Sequence, residues 1–200
     1  MIVLTSNGLS SDALISYMQQ YMTTGTVALV VTADNVYKEK NYHVERLTKE
    51  LQRLGLEVVC FDFDKQSPAE LEKYDAIEMI GGNPYYLLHS IRQNGYAKTL
   101  AEFAEKKIII GCSAGALILT PSLDLIDVYS PEMNIVDMKD LSACQLTDVR
   151  LLPHYSKFLN RYDNFEEKCS EYEQRMGCRV IRLNDGEGIF ISEESVTIVK

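Results

Sequence analysis

Short apolar runs alternate along the first 120 residues with segments whose apolar residues recur at helical spacing. The apolar runs are IVLTS, TVALVVTAD, EVVCFDF, AIEMIGG and KIIIGCS, which begin at residues 2, 26, 57, 76 and 107. The helix-like segments follow them over residues 9–22, 41–54, about 68–73, 84–105 and 114–119. Runs that are apolar on both faces and alternate with helices are typical of a parallel sheet covered by helices. The pattern predicts an α/β fold with a doubly wound, mostly parallel sheet and helices on both faces.

Beyond residue 120 the pattern is less regular and then returns to strands. The segment VRLLPHY predicts a strand, residues 160–176 or so predict a helix, and RVIRLN, GIFIS and VTIVK predict three terminal strands. We expect the last two to pair as an antiparallel hairpin or edge addition. The sequence has no internal repeat, low-complexity tract or linker, so we expect one domain over residues 1–200.

Composition narrows the class of protein. The chain has 200 residues, of which 46% are hydrophobic, and its formal net charge is -9. An acidic chain disfavours nucleic acid and anionic membranes as partners. No apolar run approaches the roughly 20 residues of a membrane span, and the first ten residues lack the charged region that begins a secretory signal. We therefore expect a cytoplasmic protein.

The cysteines do not form a recognisable metal or disulfide pattern. They are odd in number and scattered without a C-x-x-C pair, at Cys60, Cys112, Cys144, Cys169 and Cys178. We expect reduced thiols and no metal site.

The five residues GCSAG, at positions 111–115, carry the most specific chemical signal. A strand that ends in Gly-x-Ser-x-Gly and turns at once into a helix places Ser113 in a strained bend at the carboxyl edge of the sheet. Side chains at Gly111 and Gly115 would collide there, and the N–H of Ala114 points towards an oxyanion formed at Ser113. The alternative interpretation is a packing turn without catalysis.

A second glycine pair closes the preceding strand in MIGGNPYYLL. If the two strands are neighbours, the backbone at Gly81 and Gly82 can approach Ser113 and supply a second N–H donor to the oxyanion. The simpler interpretation is a tight turn, with Asn83 as helix cap and Pro84 at the first helical position. The two interpretations are compatible, because a tight turn of glycines can also present a backbone N–H.

A catalytic serine needs a base, and the chain offers His43, His89 and His154. His154 is the best candidate by position, because it stands just past a predicted strand and after a proline. A carboxylate is needed to orient the imidazole, and the spacing does not decide which one does so. The candidates lie after the serine helix, at Asp124, Asp127, Glu132 and Asp137.

Taken in order, GGNPYYLL, GCSAGALIL and LLPHY resemble the peptidase E family of serine peptidases, which includes aspartyl dipeptidases. The likeness extends from the first strand to GEGIFI. It implies a class I glutamine amidotransferase-like fold and cleavage of short peptides. It also implies that Ser113 is the nucleophile, that His154 transfers the proton and that the N–H groups of Gly82 and Ala114 hold the oxyanion. No metal or organic cofactor is implied.

The resemblance also bears on the third catalytic residue and on specificity. It places the catalytic aspartate near Asp127, with Asp124 as a rival. It implies substrates such as dipeptides with an N-terminal aspartate, whose side chain an arginine after the histidine binds; Arg161 is the candidate here. Gly81 and Asn83 are expected to contact the substrate.

Two other functions compete with the serine peptidase. A non-catalytic ligand-binding relative is favoured by the imperfect acid segment LDLIDVY. An amide-handling enzyme that uses cysteine would depend on Cys112, one place before the turn, where alternation directs the side chain away from the site. The tyrosine-rich segment PYYLL makes a homodimer a further expectation.

Overall fold

Nine strands and eight α-helices make up the fold in a computed structural model that describes all of residues 1–200. The strands are β1 (Ile2–Thr5), β2 (Gly25–Val30), β3 (Leu56–Phe61), β4 (Ala76–Met79), β5 (Ile108–Cys112), β6 (Arg150–Leu152), β7 (Val180–Arg182), β8 (Gly188–Ile191) and β9 (Val196–Val199). The helices are α1 (Asp12–Met18), α2 (Tyr42–Gln52), α3 (Pro84–Gln93), α4 (Tyr96–Lys106), α5 (Ala114–Leu117), α6 (Asp124–Tyr129), α7 (Tyr155–Leu159) and α8 (Phe165–Met176). Short 3₁₀ segments span Lys38–Lys40, Pro68–Lys73 and Pro131–Met133.

Seven strands form the central sheet in the order β3-β2-β4-β5-β1-β8-β9. The first five pair in parallel, whereas β8 and β9 are antiparallel additions at one edge. Ile109 and Ile110 are successive residues of β5 and are both fully buried, so both faces of the sheet are covered. The predicted mostly parallel α/β sheet and its terminal antiparallel hairpin are confirmed.

Two predicted helices and two predicted strands differ from the observed elements. The helix predicted over residues 84–105 is two helices, because Gly95 adopts a φ of 74° between α3 and α4. The helix predicted over residues 160–176 begins only at Phe165, after the separate helix α7. The predicted strands VRLLPHY and RVIRLN do not join the main sheet; β6 and β7 pair in parallel as a second sheet of two strands.

The topology brings three strand ends to one place. Thr5 at the end of β1 lies opposite Cys112 at the end of β5, and Met79 at the end of β4 lies opposite Gly111. The residues that follow β1, β4 and β5 therefore meet at the carboxyl edge of the sheet, where ligands bind in open α/β folds. None of the helices combines the length and the apolarity that a bilayer crossing requires.

Candidate active site

Ser113 occupies the sharp turn between β5 and α5. Its backbone has a φ of 50° and a ψ of -108°, a conformation that costs a serine strain energy. A Cβ at Gly111 would lie 2.5 Å from the Cα of Ala116, and one at Gly115 would collide with the carbonyl oxygen of Met79. Both glycines of the motif are thus needed for the turn to pack against its neighbours.

The side chain of Ser113 faces an imidazole and, behind it, a carboxylate. Ser113 Oγ lies 2.9 Å from Nε2 of His154. The other ring nitrogen of His154, Nδ1, lies 2.6 Å from Oδ1 of Asp185. His154 lies two residues after the end of β6 and has a φ of 56°, and Asp185 lies three residues after the end of β7. A hydroxyl, an imidazole and a carboxylate therefore stand in one hydrogen-bonded line.

Ser6, just after β1, ties this line to the main sheet. Its buried hydroxyl accepts the backbone N–H of His154 at 2.8 Å and donates to Asp185 Oδ1 at 2.8 Å. Lys157 Nζ lies 2.5 Å from the other carboxylate oxygen. Burial of Asp185 favours its neutral form. The hydrogen bonds from Lys157, Ser6 and His154 outweigh this effect and hold the pKa of Asp185 below its usual value. Asp185 is therefore a carboxylate at neutral pH.

The expectation that Asp127 or Asp124 orients His154 is wrong. Asp127 accepts a hydrogen bond from the Tyr85 hydroxyl at 3.4 Å, and Asp124 accepts one from the Tyr172 hydroxyl at 3.4 Å. Helix α6 directs both carboxylates to tyrosines of other helices rather than to the imidazole.

The two remaining candidates are also engaged elsewhere. Glu132 accepts from the neighbouring Ser130, and Asp137 pairs with Lys139 at 2.6 Å. The sequence did hold a signal for Asp185: it stands in NDG, between two predicted strands, where a turn brings a carboxylate to a strand end.

The glycine pair Gly81–Gly82 lies beside Ser113, as expected. A Cβ at Gly81 would lie 3.3 Å from the Cβ of Ser113. Gly82 has a φ of 149°, and a side chain there would collide with the carbonyl oxygen of Ala33. The backbone N–H groups of Gly82 and Ala114 donate to no acceptor within the protein. Both N–H groups are therefore available to an acceptor from outside the protein.

A cavity of about 220 Å³ opens beside these groups. Its walls combine the turn and imidazole described above with the beginning of α2 and the loop after β1. They are formed by Asn7, Asn41, Tyr42, His43, Arg46, Gly81, Gly82, Cys112, Ser113 and His154. A cavity of this size suits a small molecule rather than a folded chain.

Two of the three residues expected to contact substrate lie outside this cavity. Gly81 lines it, but Asn83 is engaged in structure: its side chain accepts the N–H of Tyr86 at 3.0 Å and donates to the carbonyl of Met133 at 2.7 Å. Arg161 is exposed and lies over the ring of Tyr162. The geometry does not support these two as substrate-binding residues.

Cys112 is among the residues that line the cavity but is buried, and burial raises the pKa of its thiol well above the usual value. A thiol held neutral is a poor nucleophile. No cluster of His, Cys, Asp or Glu in the structure has the arrangement of a metal site.

Comparison with known proteins gives consistent matches along the chain. Residues 2–199 match the sequence model of peptidase family S51. An uncharacterized peptidase of Listeria innocua is 33% identical over 201 residues, covering 98% of this chain and 94% of the relative. One from Listeria monocytogenes is 30% identical over 201 residues, covering 98% and 96%. The solved structure of a candidate peptidase E from Listeria monocytogenes superposes with a TM-score of 0.79 at 29% identity, covering 98% of this chain and 96% of the other.

Proposed function

Because this chain belongs to peptidase family S51, we propose that it is a serine hydrolase that cleaves short peptides through an acyl-enzyme on Ser113. The observation that carries the proposal is the line of hydrogen bonds from Ser113 through His154 to Asp185. The same three groups in the same order activate a serine for acyl transfer on several unrelated folds.

The proposed reaction has two stages. As Ser113 Oγ attacks the scissile carbonyl carbon, its proton passes to Nε2 of His154, while Asp185 orients the ring and stabilises the imidazolium. The C–N bond then breaks, and His154 returns the proton to the leaving amine. In the second stage His154 takes a proton from water, whose oxygen attacks the acyl carbon. The imidazolium then returns that proton to Ser113 Oγ as the bond between Oγ and the acyl carbon breaks.

The oxyanion of each tetrahedral intermediate is held by the N–H groups of Gly82 and Ala114. Their freedom from protein acceptors and their position beside the turn support this role. Loss of one such donor costs about 3–4 kcal/mol of transition-state stabilisation in comparable enzymes. The short helix α5 adds the positive end of its backbone dipoles to the same place.

The size of the cavity supports a small peptide as the substrate. About 220 Å³ is less than the roughly 300–1,000 Å³ of sites for drug-sized ligands. Dipeptides and the ends of short peptides fit this space, so we propose an exopeptidase or dipeptidase. Peptides with an N-terminal aspartate belong in the first substrate screen, although Arg161 lies outside the cavity.

The two competing functions have less support. The non-catalytic alternative depended on an incomplete acid segment, and Asp185 supplies the carboxylate from another part of the chain. The cysteine-dependent alternative requires a thiolate, which the buried Cys112 disfavours.

Labelling with a fluorophosphonate probe tests the proposal directly. We expect the probe to modify Ser113 in the wild type, as read by mass spectrometry of the labelled peptide. His154→Ala is expected to reduce both labelling and dipeptide hydrolysis by at least about 10³-fold. Cys112→Ala is the matched control and should retain both activities.

Contrary results are easily recognised. Hydrolysis that survives in Ser113→Ala but is lost in Cys112→Ala would support the cysteine enzyme. Absence of labelling and of turnover in the folded wild type, for every dipeptide and ester tested, would favour the non-catalytic relative.

A further inference from the structure

The end of β1 contacts all three residues of the proposed catalytic line. The carbonyl oxygen of Thr5 accepts the N–H of Ser113 at 3.0 Å. The hydroxyl of Ser6 accepts the N–H of His154 at 2.8 Å and donates to Oδ1 of Asp185 at 2.8 Å. Three residues that follow strands of two different sheets are therefore held against the same two consecutive residues.

The hydroxyl of Ser6 is well placed to fix this geometry. Ser6 is fully buried, so solvent does not compete for its hydrogen bonds. Its single proton goes to Asp185, and its oxygen accepts the backbone N–H of His154. His154 has a φ of 56°, a left-handed conformation that persists only where the surroundings hold it. One hydroxyl thus holds both the backbone of the histidine and the carboxylate that its ring faces.

The carboxylate of Asp185 has two supports besides His154, and they differ in strength. Its Oδ1 accepts the hydroxyl of Ser6, and its Oδ2 lies 2.5 Å from Nζ of Lys157. The side chain of Lys157 is 71% exposed, and ion pairs exposed to solvent are weak. The contact from Ser6 comes from a buried group, whose loss would leave the carboxylate short of a partner. Ser6 is therefore the stronger support.

The loop after β1 also holds the backbone of the turn that follows β7. The N–H of Ser6 donates to the carbonyl of Glu187 at 3.2 Å. Oδ1 of Asn7 accepts the N–H of Gly186 at 3.0 Å, and the hydroxyl of Ser11 donates to the carbonyl of Gly186 at 2.8 Å. None of these contacts uses the side chain of Ser6. Removal of its hydroxyl therefore leaves the turn anchored and takes away only the contacts with the histidine and the carboxylate.

We propose that Ser6 is a positioning residue for the reaction at Ser113, and that its hydroxyl sets the geometry in which His154 and Asp185 meet the nucleophile. The inference rests on the proposed hydrolase function and adds a residue on which its rate depends. Acyl transfer is sensitive to such placement, since a shift of about 1 Å can cost about 10²-fold in rate. Ser6 is not among the residues that line the cavity, so we expect it to affect the chemical step rather than substrate binding.

Ser6→Ala removes the hydroxyl and is the first test. We expect kcat for dipeptide hydrolysis to fall about 10- to 100-fold, as loss of a hydrogen bond to a charged group predicts, with KM within about twofold of the wild type. Fluorophosphonate labelling of Ser113 should slow by a similar factor, because it uses the same histidine. Ser90→Ala is the matched control. Ser90 is a buried serine of α3 outside the cavity, and its loss should leave kcat within about twofold of the wild type.

Two further variants separate the hydroxyl from the packing around it. Ser6→Thr and Ser6→Val add side chains of nearly equal shape, and only the threonine keeps a hydroxyl. We expect kcat of Ser6→Thr to exceed that of Ser6→Val by at least about tenfold. Equal kcat values in these two variants would overturn the proposal. A kcat of Ser6→Ala within about threefold of the wild type, or a change confined to KM, would do so as well.

A proton NMR measurement keeps this result distinct from failure of the hydrolase proposal. The proton on Nδ1 of His154 lies in a 2.6 Å hydrogen bond to Asp185 and should resonate far downfield of the amide protons, a signal assigned by its absence from His154→Gln. We expect this signal in the wild type and in Ser90→Ala, and its loss through exchange with solvent in Ser6→Ala. If the wild type shows no labelling and no turnover, the hydrolase function fails, and this signal alone decides whether Ser6 positions the pair. An unchanged signal in Ser6→Ala counts against Ser6.

Discussion

Ser113 has a backbone conformation that few serines adopt, and its neighbours explain how it persists. Strain of this kind costs about 1–3 kcal/mol. The N–H of Ser113 donates to the carbonyl of Thr5 at 3.0 Å, and the glycines at 111 and 115 let β5 and α5 pack without collision. This local rule is strict enough that the turn and its serine could be predicted from five residues.

The carboxylate partner of His154 could not be predicted in the same way. The ring N–H of a histidine can donate to a carboxylate from any segment that the fold brings within reach, and the segment after the serine helix is only one of these. Asp185 reaches the imidazole of His154 because β6 and β7 pair with each other. His154 and Asp185 are 31 residues apart in the sequence. Ser6 was missed for the same reason, because its contacts are with residues distant in sequence.

Replacement of Asp185 by Asn tests which carboxylate supports the histidine. We expect Asp185→Asn to lower kcat by about 10³- to 10⁴-fold with little change in KM, because the amide no longer stabilises the imidazolium or fixes its tautomer. Asp127→Asn should reduce kcat less than about tenfold, since Asp127 contacts Tyr85 rather than the imidazole. The reverse ranking in steady-state kinetics would restore Asp127 to the role first expected of it.

At the scale of elements, the site is shared between two sheets. Ser113 follows a strand of the main sheet, whereas His154 and Asp185 follow the two strands of the small sheet. The sequence predicted β6 and β7 as strands from their apolar residues. The sequence could not assign them to a separate sheet, because the residues of a three-residue strand do not indicate which strand it pairs with.

Arg182 anchors the small sheet to α8 and offers a test of this division. Its guanidinium pairs with Glu166 at 2.8 Å and with Glu173 at 2.7 Å, and the side chain is mostly buried. Arg182→Met should accelerate hydrogen exchange in β6 and β7 while β1 and β5 stay protected, and should lower kcat more than it changes KM.

The control for this measurement is a surface ion pair. Lys98→Met removes an exposed partner of Glu102 on α4 and should alter neither quantity, since such pairs contribute about 1 kcal/mol or less. Exchange that accelerates equally in every strand of Arg182→Met would show that the two sheets open as one unit.

At the scale of the whole molecule, one buried carboxyl group links stability to pH. Glu78 lies in the central strand β4, where neither of its carboxyl oxygens has a hydrogen-bond partner and the charges of Glu50 and Arg46 act on it. Its pKa is about 8 in the folded protein against 4.5 as the ordinary value. Between these pH values the unfolded chain releases a proton that the folded chain retains. Stability therefore falls as pH rises through this range and levels off above it.

Glu78→Gln should remove most of this dependence. We expect the variant to match the wild type most closely below pH 4.5 and to gain stability relative to it as pH rises to about 8, measured by urea unfolding at several pH values. Glu57→Gln, at an exposed position of β3, is the control and should follow the wild-type curve. A constant difference between Glu78→Gln and the wild type at all pH values would show that the carboxyl group is ionised in the fold.

The main sheet could be predicted from sequence because its strands are apolar on both faces and its helices have clear boundaries. Pro84 after Asn83, for example, marked the start of α3 correctly. The packing at the sheet edge that brings Asp185 to His154 depends on loops whose conformation no local pattern determines.

The position of Ser6 has a consequence for how the protein acquires its activity during synthesis. β1 is translated first, but it lies between β5 and β8, so its second neighbour emerges from the ribosome only with residues 188–191. Until residue 185 has emerged, the Ser6 hydroxyl lacks its contact with Asp185 and His154 lacks its carboxylate partner. A nascent chain can therefore carry Ser113 on a folded turn and still be inactive until Asp185 has been synthesised.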